Sequence, residues 1–217
     1  MFELVDFSEV RRYRSICSEI LTEVRDTLRE ENGIVTQFTL VGSGARNLVT
    51  RNGDGPYDLD YNLYIVNMPE HYWNDLADFK DKVRQALNHA VQETAFSDGS
   101  DSTSVLTALL HFKDTPDLQF SFDIAILAQN ENGTWCRLIH NKNARGFGPS
   151  GQYTWCEIPR SKDVREKARI IKSDGKWQQV REKYVELKNL YLQRNDKNHP
   201  SFICYVEAVN EIYHSYH

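Results

Sequence analysis

No stretch of this 217-residue chain approaches the roughly 20 apolar residues of a transmembrane helix, so no membrane contact is expected. The opening run MFELVDFSEVRRYR is too charged for a secretory signal, which leaves a cytoplasmic protein as the expectation. Proline and glycine are scarce, at six and eleven residues, and this argues against disorder or a collagen-like chain. The four cysteines, Cys17, Cys136, Cys156 and Cys204, show no C-x-x-C spacing, so neither a zinc site nor a disulfide framework is indicated. The seven histidines form no H-x-E or H-E-x-x-H pattern. Internal repeats and low-complexity tracts are missing too.

What remains is an ordinary globular composition, 40% hydrophobic, 26% charged and 12% aromatic, with material for a real core. The net charge of −5 is unevenly spread. Residues 1 to 159 carry 14 Lys and Arg against 23 Asp and Glu, whereas residues 160 to 199 carry 12 against 6. A basic segment behind an acidic one suits a polyanion such as a nucleoside triphosphate; a solvated helix face is the plainer alternative. Long duplex DNA is not expected as a partner, because it demands a broad basic surface.

Apolar residues at three- and four-residue steps, Val10, Tyr13, Cys17, Ile20 or Leu21, Val24 and Leu28, predict a helix over 8 to 31, with Ser8 able to cap its start and Gly33 its end. A strand follows over Ile34 to Val41 and stops at Gly42-Ser43-Gly44. Another strand lies in YDLDYNLYIV, a helix runs from about Trp73 to Ala95, and SDGSDSTS reads as a loop. A hairpin through KDTPD and a short strand around Trp135 to Ile139 complete a core assigned to residues 1–150. Residues 151–217 are expected to form a helical subdomain packed on it, with helices over 161 to 172, 176 to 194 and 201 to the end. The breaker-rich run from Asn141 to Pro159 marks the boundary.

Aspartate is depleted in strands, yet Asp58 and Asp60 sit in YDLDYNLYIV and Asp123 in LQFSFDIAIL. Strand alternation places Asp58, Asp60 and Asn62 on one face and Tyr57, Leu59, Tyr61 and Leu63 on the other; Asp123 likewise opposes Phe122 and Ile124. If the two strands are neighbours, three carboxylates converge and repel unless protons or cations neutralise them. Hard oxygen donors of this kind suit Mg²⁺ or Mn²⁺.

Together these elements resemble the nucleotidyltransferase superfamily, which includes DNA polymerase beta, poly(A) polymerases and aminoglycoside nucleotidyltransferases. The matching pieces are Val41-Gly42-Ser43 ending a strand, the short Ala45-Arg46-Asn47 segment, Tyr57-Asp58-Leu59-Asp60-Tyr61, and Phe122-Asp123-Ile124. They cover residues 34 to 127. The chain departs from the pattern in a longer gap between Ser43 and Asp58 and in Asn47, where many members have glycine. The resemblance implies an α+β (mixed α/β) fold with a small mixed sheet packed on helices and a C-terminal helical segment.

It also implies two Mg²⁺ ions held by Asp58, Asp60 and Asp123, with Asp123 able to take the proton of an attacking hydroxyl. Nucleotide binding would fall to Gly42, Ser43, Gly44 and Arg46, although Ser43 also fits a simple helix cap, and Arg46 and Arg51 also fit surface ion pairs. The run KARIIKSDGKW is similar to an Arg-x-x-Lys-plus-Trp stretch of template-independent polymerases and oligoadenylate-type enzymes. Lys172 or Lys176 would then reach the triphosphate. Tyr153, Tyr184 and Tyr191 are either base-stacking platforms or core.

The activity implied is transfer of a nucleoside monophosphate from an NTP to an acceptor hydroxyl with release of pyrophosphate, the acceptor being a small molecule, a nucleotide, an RNA end or a protein. The alternative is a non-catalytic nucleotide-binding or antitoxin-like module of the same fold, against which the intact carboxylate trio speaks.

Overall fold

A computed structural model describes residues 1–111, 117–141, 152–159, 162–196 and 198–217. A short N-terminal strand, β1 (Phe2–Leu4), leads into a long helix, α1 (Phe7–Asn32). That helix buries the predicted stripe from Val10 to Leu28. Its cap is Asp6 instead of Ser8: the Asp6 carboxylate accepts the Ser8 hydroxyl and the amides of Ser8 and Glu9, which together pull its pKa down, the hydroxyl most. Gly33 ends the helix in the left-handed conformation at φ 67°, with its own amide on Arg29 O and that of Ile34 on Leu28 O.

The chain continues through β2 (Val35–Leu40), the single-turn α2 (Gly42–Arg46), β3 (Thr50–Asn52) and β4 (Tyr57–Asn67). β3 pairs with β1, an element that sequence periodicity did not reveal because three residues carry no period. The helix expected from Trp73 to Ala95 is two, α3 (Glu70–Asn74) and α4 (Leu76–Val91). Asp75 separates them, accepting the amides of Ala77 and Asp78 as the cap of α4. Within the expected SDGSDSTS loop lies a two-residue strand, β5 (Ser100–Asp101). β6 (Leu106–His111) and β7 (Leu118–Gln129) pair as the predicted hairpin, whose KDTPD turn lies mostly outside the described residues. β8 (Trp135–His140) and β9 (Tyr153–Glu157) follow, then α5 (Lys162–Ser173), α6 (Trp177–Gln193) and α7 (Ser201–Tyr216).

The main sheet runs β2-β4-β7-β6-β5, with β8 on the far end of the long β7 and β9 beyond it. It is mixed: β4 and β7 are parallel, and the other neighbours are antiparallel. α1 and α4 cover one face, burying Leu59, Leu63, Phe120, Phe122, Phe79 and Leu87 completely. This is the expected α+β arrangement, a mixed sheet packed on helices with a helical segment at the C-terminal end. Because β9 extends the core sheet, a division at residue 150 leaves one core strand with the helices, and the helical part starts with α5 at Lys162. Most of the breaker-rich run, 142–151, lies outside the described residues.

A second apolar cluster joins α5, α6 and α7 through Val164, Ile171, Val180, Tyr184 and Val209, and its one core-side member among the described residues is Leu48. Polar latches fix this helical layer to the core. Trp177 Nε1 donates to Arg46 O at 2.9 Å and Arg181 Nε to Asn47 O at 3.1 Å. Asn189 brackets the backbone of Phe2, accepting from its N–H at 2.6 Å and donating to its carbonyl at 2.9 Å.

Candidate active site

The parallel register sets Asp60 directly opposite Asp123 and Asp58 opposite Ser121. All three carboxylates leave the sheet on the face turned away from α1, since Tyr57, Leu59 and Tyr61 occupy the helix-covered face. Each offers one oxygen within 4.8 Å of the others. Burial first, then the charges of Asp58 and Asp123, push Asp60 up to about 6. Asp123 is raised as well by burial, against a Thr107 hydroxyl that donates to its Oδ1 at 2.5 Å. Thr107 stands opposite Asp123 on β6, so the sheet register delivers this bond.

An all-oxygen trio whose charged forms resist one another fits divalent cations, which would relieve both burial and repulsion. Among the described residues no zinc-type nitrogen or sulfur donor joins the trio.

The turn after β2 touches the same site. Val41 N–H donates to Asp60 O at 2.8 Å, and Gly42 adopts φ 60°. A Cβ at Gly42 would overlap the Asp60 carboxylate, so this position tolerates only glycine for two reasons at once. Gly42, Ser43 and Arg46 line the cavity in front of the carboxylates, a space of about 340 Å³. Val41 is the cap residue of α2 and no side chain caps that helix, so the simple-cap reading of Ser43 does not hold. Gly44 does not line the cavity: it is buried where a Cβ would press on Leu59 and Leu40, a packing role. Asn47 closes α2 at φ 57°, a left-handed position that asparagine adopts more readily than most residues.

The two lysines expected at the triphosphate stand elsewhere. Lys172 projects over the Trp177 ring at 4.4 Å and Lys176 over Tyr216 at 3.3 Å, and neither lines the cavity. The lysine of the wall is instead Lys188, on the next helix, α6. It follows Tyr184 by four residues, donates to Thr50 Oγ1 at 2.7 Å, and has its pKa pulled down by burial. Ser201 and Phe202 at the start of α7 and Tyr205 in its first turns complete that wall. The Arg46 guanidinium lies 4.3 Å over the Tyr205 ring. From the sheet side comes Arg137 of β8, whose charge counters the rise at Asp60 and whose buried Nε has no hydrogen-bond partner in the structure.

Arg137 carried the same sequence signal as the aspartates, a charge inside the strand WCRLIH. Lys188 carried another, a charge on the apolar stripe of α6. Arg51 pairs with Glu9 through two hydrogen bonds, the shorter 2.7 Å, away from the cavity. Of the candidate stacking tyrosines only Tyr184 reaches the cavity, while Tyr153 bonds Asp101 and Tyr191 bonds Glu207.

No family model and no curated protein matches the sequence. The structure, in contrast, is similar to solved nucleotidyltransferases. The Vibrio cholerae DncV cyclic AMP-GMP synthase in complex with the linear intermediate 5' pppA(3',5')pG superposes with a TM-score of 0.65 at 10% identity, covering 99% of this chain and 70% of that one. A second structure of the Vibrio cholerae synthase gives 0.59 at 11% identity, over 85% of this chain and 61% of that one. CdnC of E. coli MS115-1 with ATP gives 0.56 at 15% identity, over 97% and 62%. The chain thus spans about three fifths of the length of two of these structures and 70% of the third. At such identities the likeness establishes the fold.

Proposed function

We propose, from the nucleotidyltransferase fold and the three carboxylates it converges, that the protein transfers a nucleoside monophosphate from an NTP to the hydroxyl of a second nucleotide, releasing pyrophosphate. The observation that carries this reading is the Asp60–Asp123 register pair facing a wall with Lys188 and Ser201 across one cavity. Two solved complexes favour a nucleotide acceptor over the other candidates: the Vibrio synthase holds a linear dinucleotide intermediate, and CdnC holds ATP.

Asp58, Asp60 and Asp123 would hold the divalent ions, Mg²⁺ or Mn²⁺, whose chemistry when bound is to neutralise phosphoryl charge and acidify the attacking hydroxyl. The chain's own groups do the rest. Lys188 and Ser201 offer an ammonium and a hydroxyl to the β- and γ-phosphates, and Ser43 adds a second hydroxyl from the opposite side. Arg46 is held by Tyr205 and Arg137 by its strand, so two guanidiniums face the same space as fixed donors. Asp123 Oδ1 is occupied by Thr107, which leaves Oδ2 to accept the acceptor's proton. Phe202, which is 47% exposed, offers an aromatic ring to a base.

The test is incubation with each labelled NTP, singly and in pairs, with Mg²⁺ or Mn²⁺, reading pyrophosphate release and the linkage of the product. Dinucleotide formation that disappears in Asp123→Asn is expected. Pyrophosphate release only with a non-nucleotide acceptor would overturn the acceptor assignment. NTP binding with no product under any pairing would turn the reading to a non-catalytic binding module.

A further inference from the structure

Behind the sheet, away from the carboxylates, a groove of about 760 Å³ runs between α1 and β2. Its helix wall carries Arg14, Arg25 and Arg29, with Ser18 and Thr22 between them. At 100° per residue these five positions fall on one stripe, and Arg11 shares it, whereas every Glu and Asp of α1 falls outside. Arg14 and Arg29 have no salt bridge among the described residues, and Arg25 has only its exposed chain neighbour Asp26, at 2.8 Å.

The other wall is a strand edge. β2 is terminal in the sheet and pairs only with β4 among the described residues, so its second row of backbone groups is left without a strand partner, and Val35, Thr36, Gln37, Phe38 and Leu40 line the groove. The strand VTQFTL contains no charge and no proline, the devices by which exposed edges are usually guarded. The dimensions agree. From Arg14 to Arg29 the helix rises about 22 Å, and six residues of strand span about 20 Å. Arg25 and Arg29 are about 6 Å apart along the axis, close to the roughly 7 Å between alternate side chains of a strand.

We infer that this groove binds an extended acidic segment of a partner protein as an added strand on β2, with alternate carboxylates of the segment pairing with the arginine stripe of α1. Main-chain bonds to β2 would supply affinity, and the stripe would select acidic side chains. A second copy of this chain is a poor occupant, because pairing β2 with β2 would bring two carboxylate-free arginine stripes together. The inference is independent of catalysis, since the arginines of α1 and the residues of β2 do not line the carboxylate cavity, and Tyr61 alone borders both spaces among the described residues.

The experiment uses the full chain and a fluorescein-labelled octapeptide alternating glutamate with threonine, followed by anisotropy, with the glutamine-for-glutamate peptide as control. Saturable binding of the acidic peptide, lost on raising salt and weakened about tenfold or more in Arg25→Glu with Arg29→Glu, is expected. Both arginines are exposed, so the double variant keeps its fold, checked by thermal melting. Amide exchange across residues 35 to 40 must slow when the peptide is bound. No binding, equal binding of the glutamine peptide, or arginine-dependent binding without slower exchange in β2 would each overturn the proposal. So would a single-stranded oligothymidylate that binds the stripe while the peptide does not, which would assign the groove to nucleic acid.

Discussion

Asp60 carries the largest electrostatic cost of the site. Its folded pKa of about 6 lies above the ordinary carboxylate value because burial and two neighbouring carboxylates oppose its charge. The folded state therefore holds the Asp60 proton over a range of pH in which the unfolded chain has released it, and stability of the metal-free protein falls as pH rises from about 4 to about 6. Asp60→Asn is expected to stabilise the metal-free fold by about 1–3 kcal/mol at pH 7 and by little near pH 4, measured by urea denaturation with chelator present. Thr107 acts on the neighbouring carboxylate by holding Asp123 Oδ1. Thr107→Val should weaken Mn²⁺ binding several-fold by calorimetry while Thr107→Ser restores it; equal binding in all three proteins would reduce Thr107 to a packing residue. Gly42→Ala is expected to lose both triphosphate binding and stability, because its Cβ would displace the Asp60 carboxylate and its φ disfavours any side chain.

At the scale of elements, α6 does the work that the sequence pattern assigned to the end of α5. It reaches α2 through Trp177 and Arg181, β3 through Lys188 and β1 through Asn189, so the cavity wall and the Gly-Ser turn are held at a set distance. Lys188→Ala should reduce NTP affinity about tenfold and flatten its salt dependence, whereas Lys172→Ala should do neither, since Lys172 lies over Trp177 outside the cavity. Fluorescent-nucleotide titrations at low and high salt separate the two. Equal losses in both variants would return the triphosphate to the α5 end.

Across the whole molecule, two apolar clusters meet at the site: one under the sheet and one among α5, α6 and α7. Leu48 belongs to the core segment yet is buried in the helical cluster, so the helical cluster is not complete without the core. The division into a catalytic core and a helical subdomain is retained as a proposal in which the two unfold together. Leu48→Ala is expected to cost about 2–4 kcal/mol, with core and helices melting in one transition. Separate transitions by far-UV circular dichroism and by Trp177 fluorescence would show independent folding instead.

Strand alternation by itself determined that Asp58, Asp60 and Asp123 share polar faces opposite buried aromatics, because a period of two is a property of the backbone and survives any fold. Helical spacing likewise identified the buried stripe of α1 and the approximate extents of α5, α6 and α7. The Gly42 turn was legible as a breaker, but its contact with Asp60 was not. Only the tertiary structure decided that β4 and β7 are parallel neighbours with Asp60 opposite Asp123, and that Thr107, Arg137, Lys188 and Ser201 join them. These residues come from four elements separated by long stretches of chain, and their meeting depends on sheet order and helix docking, which local periodicity does not encode. Lys172 illustrates the limit. Its local motif resembled a phosphate contact, yet a helix presents a different face every residue, and the packing of α6 against α2 and β3 turned Lys188, not Lys172, toward the carboxylates.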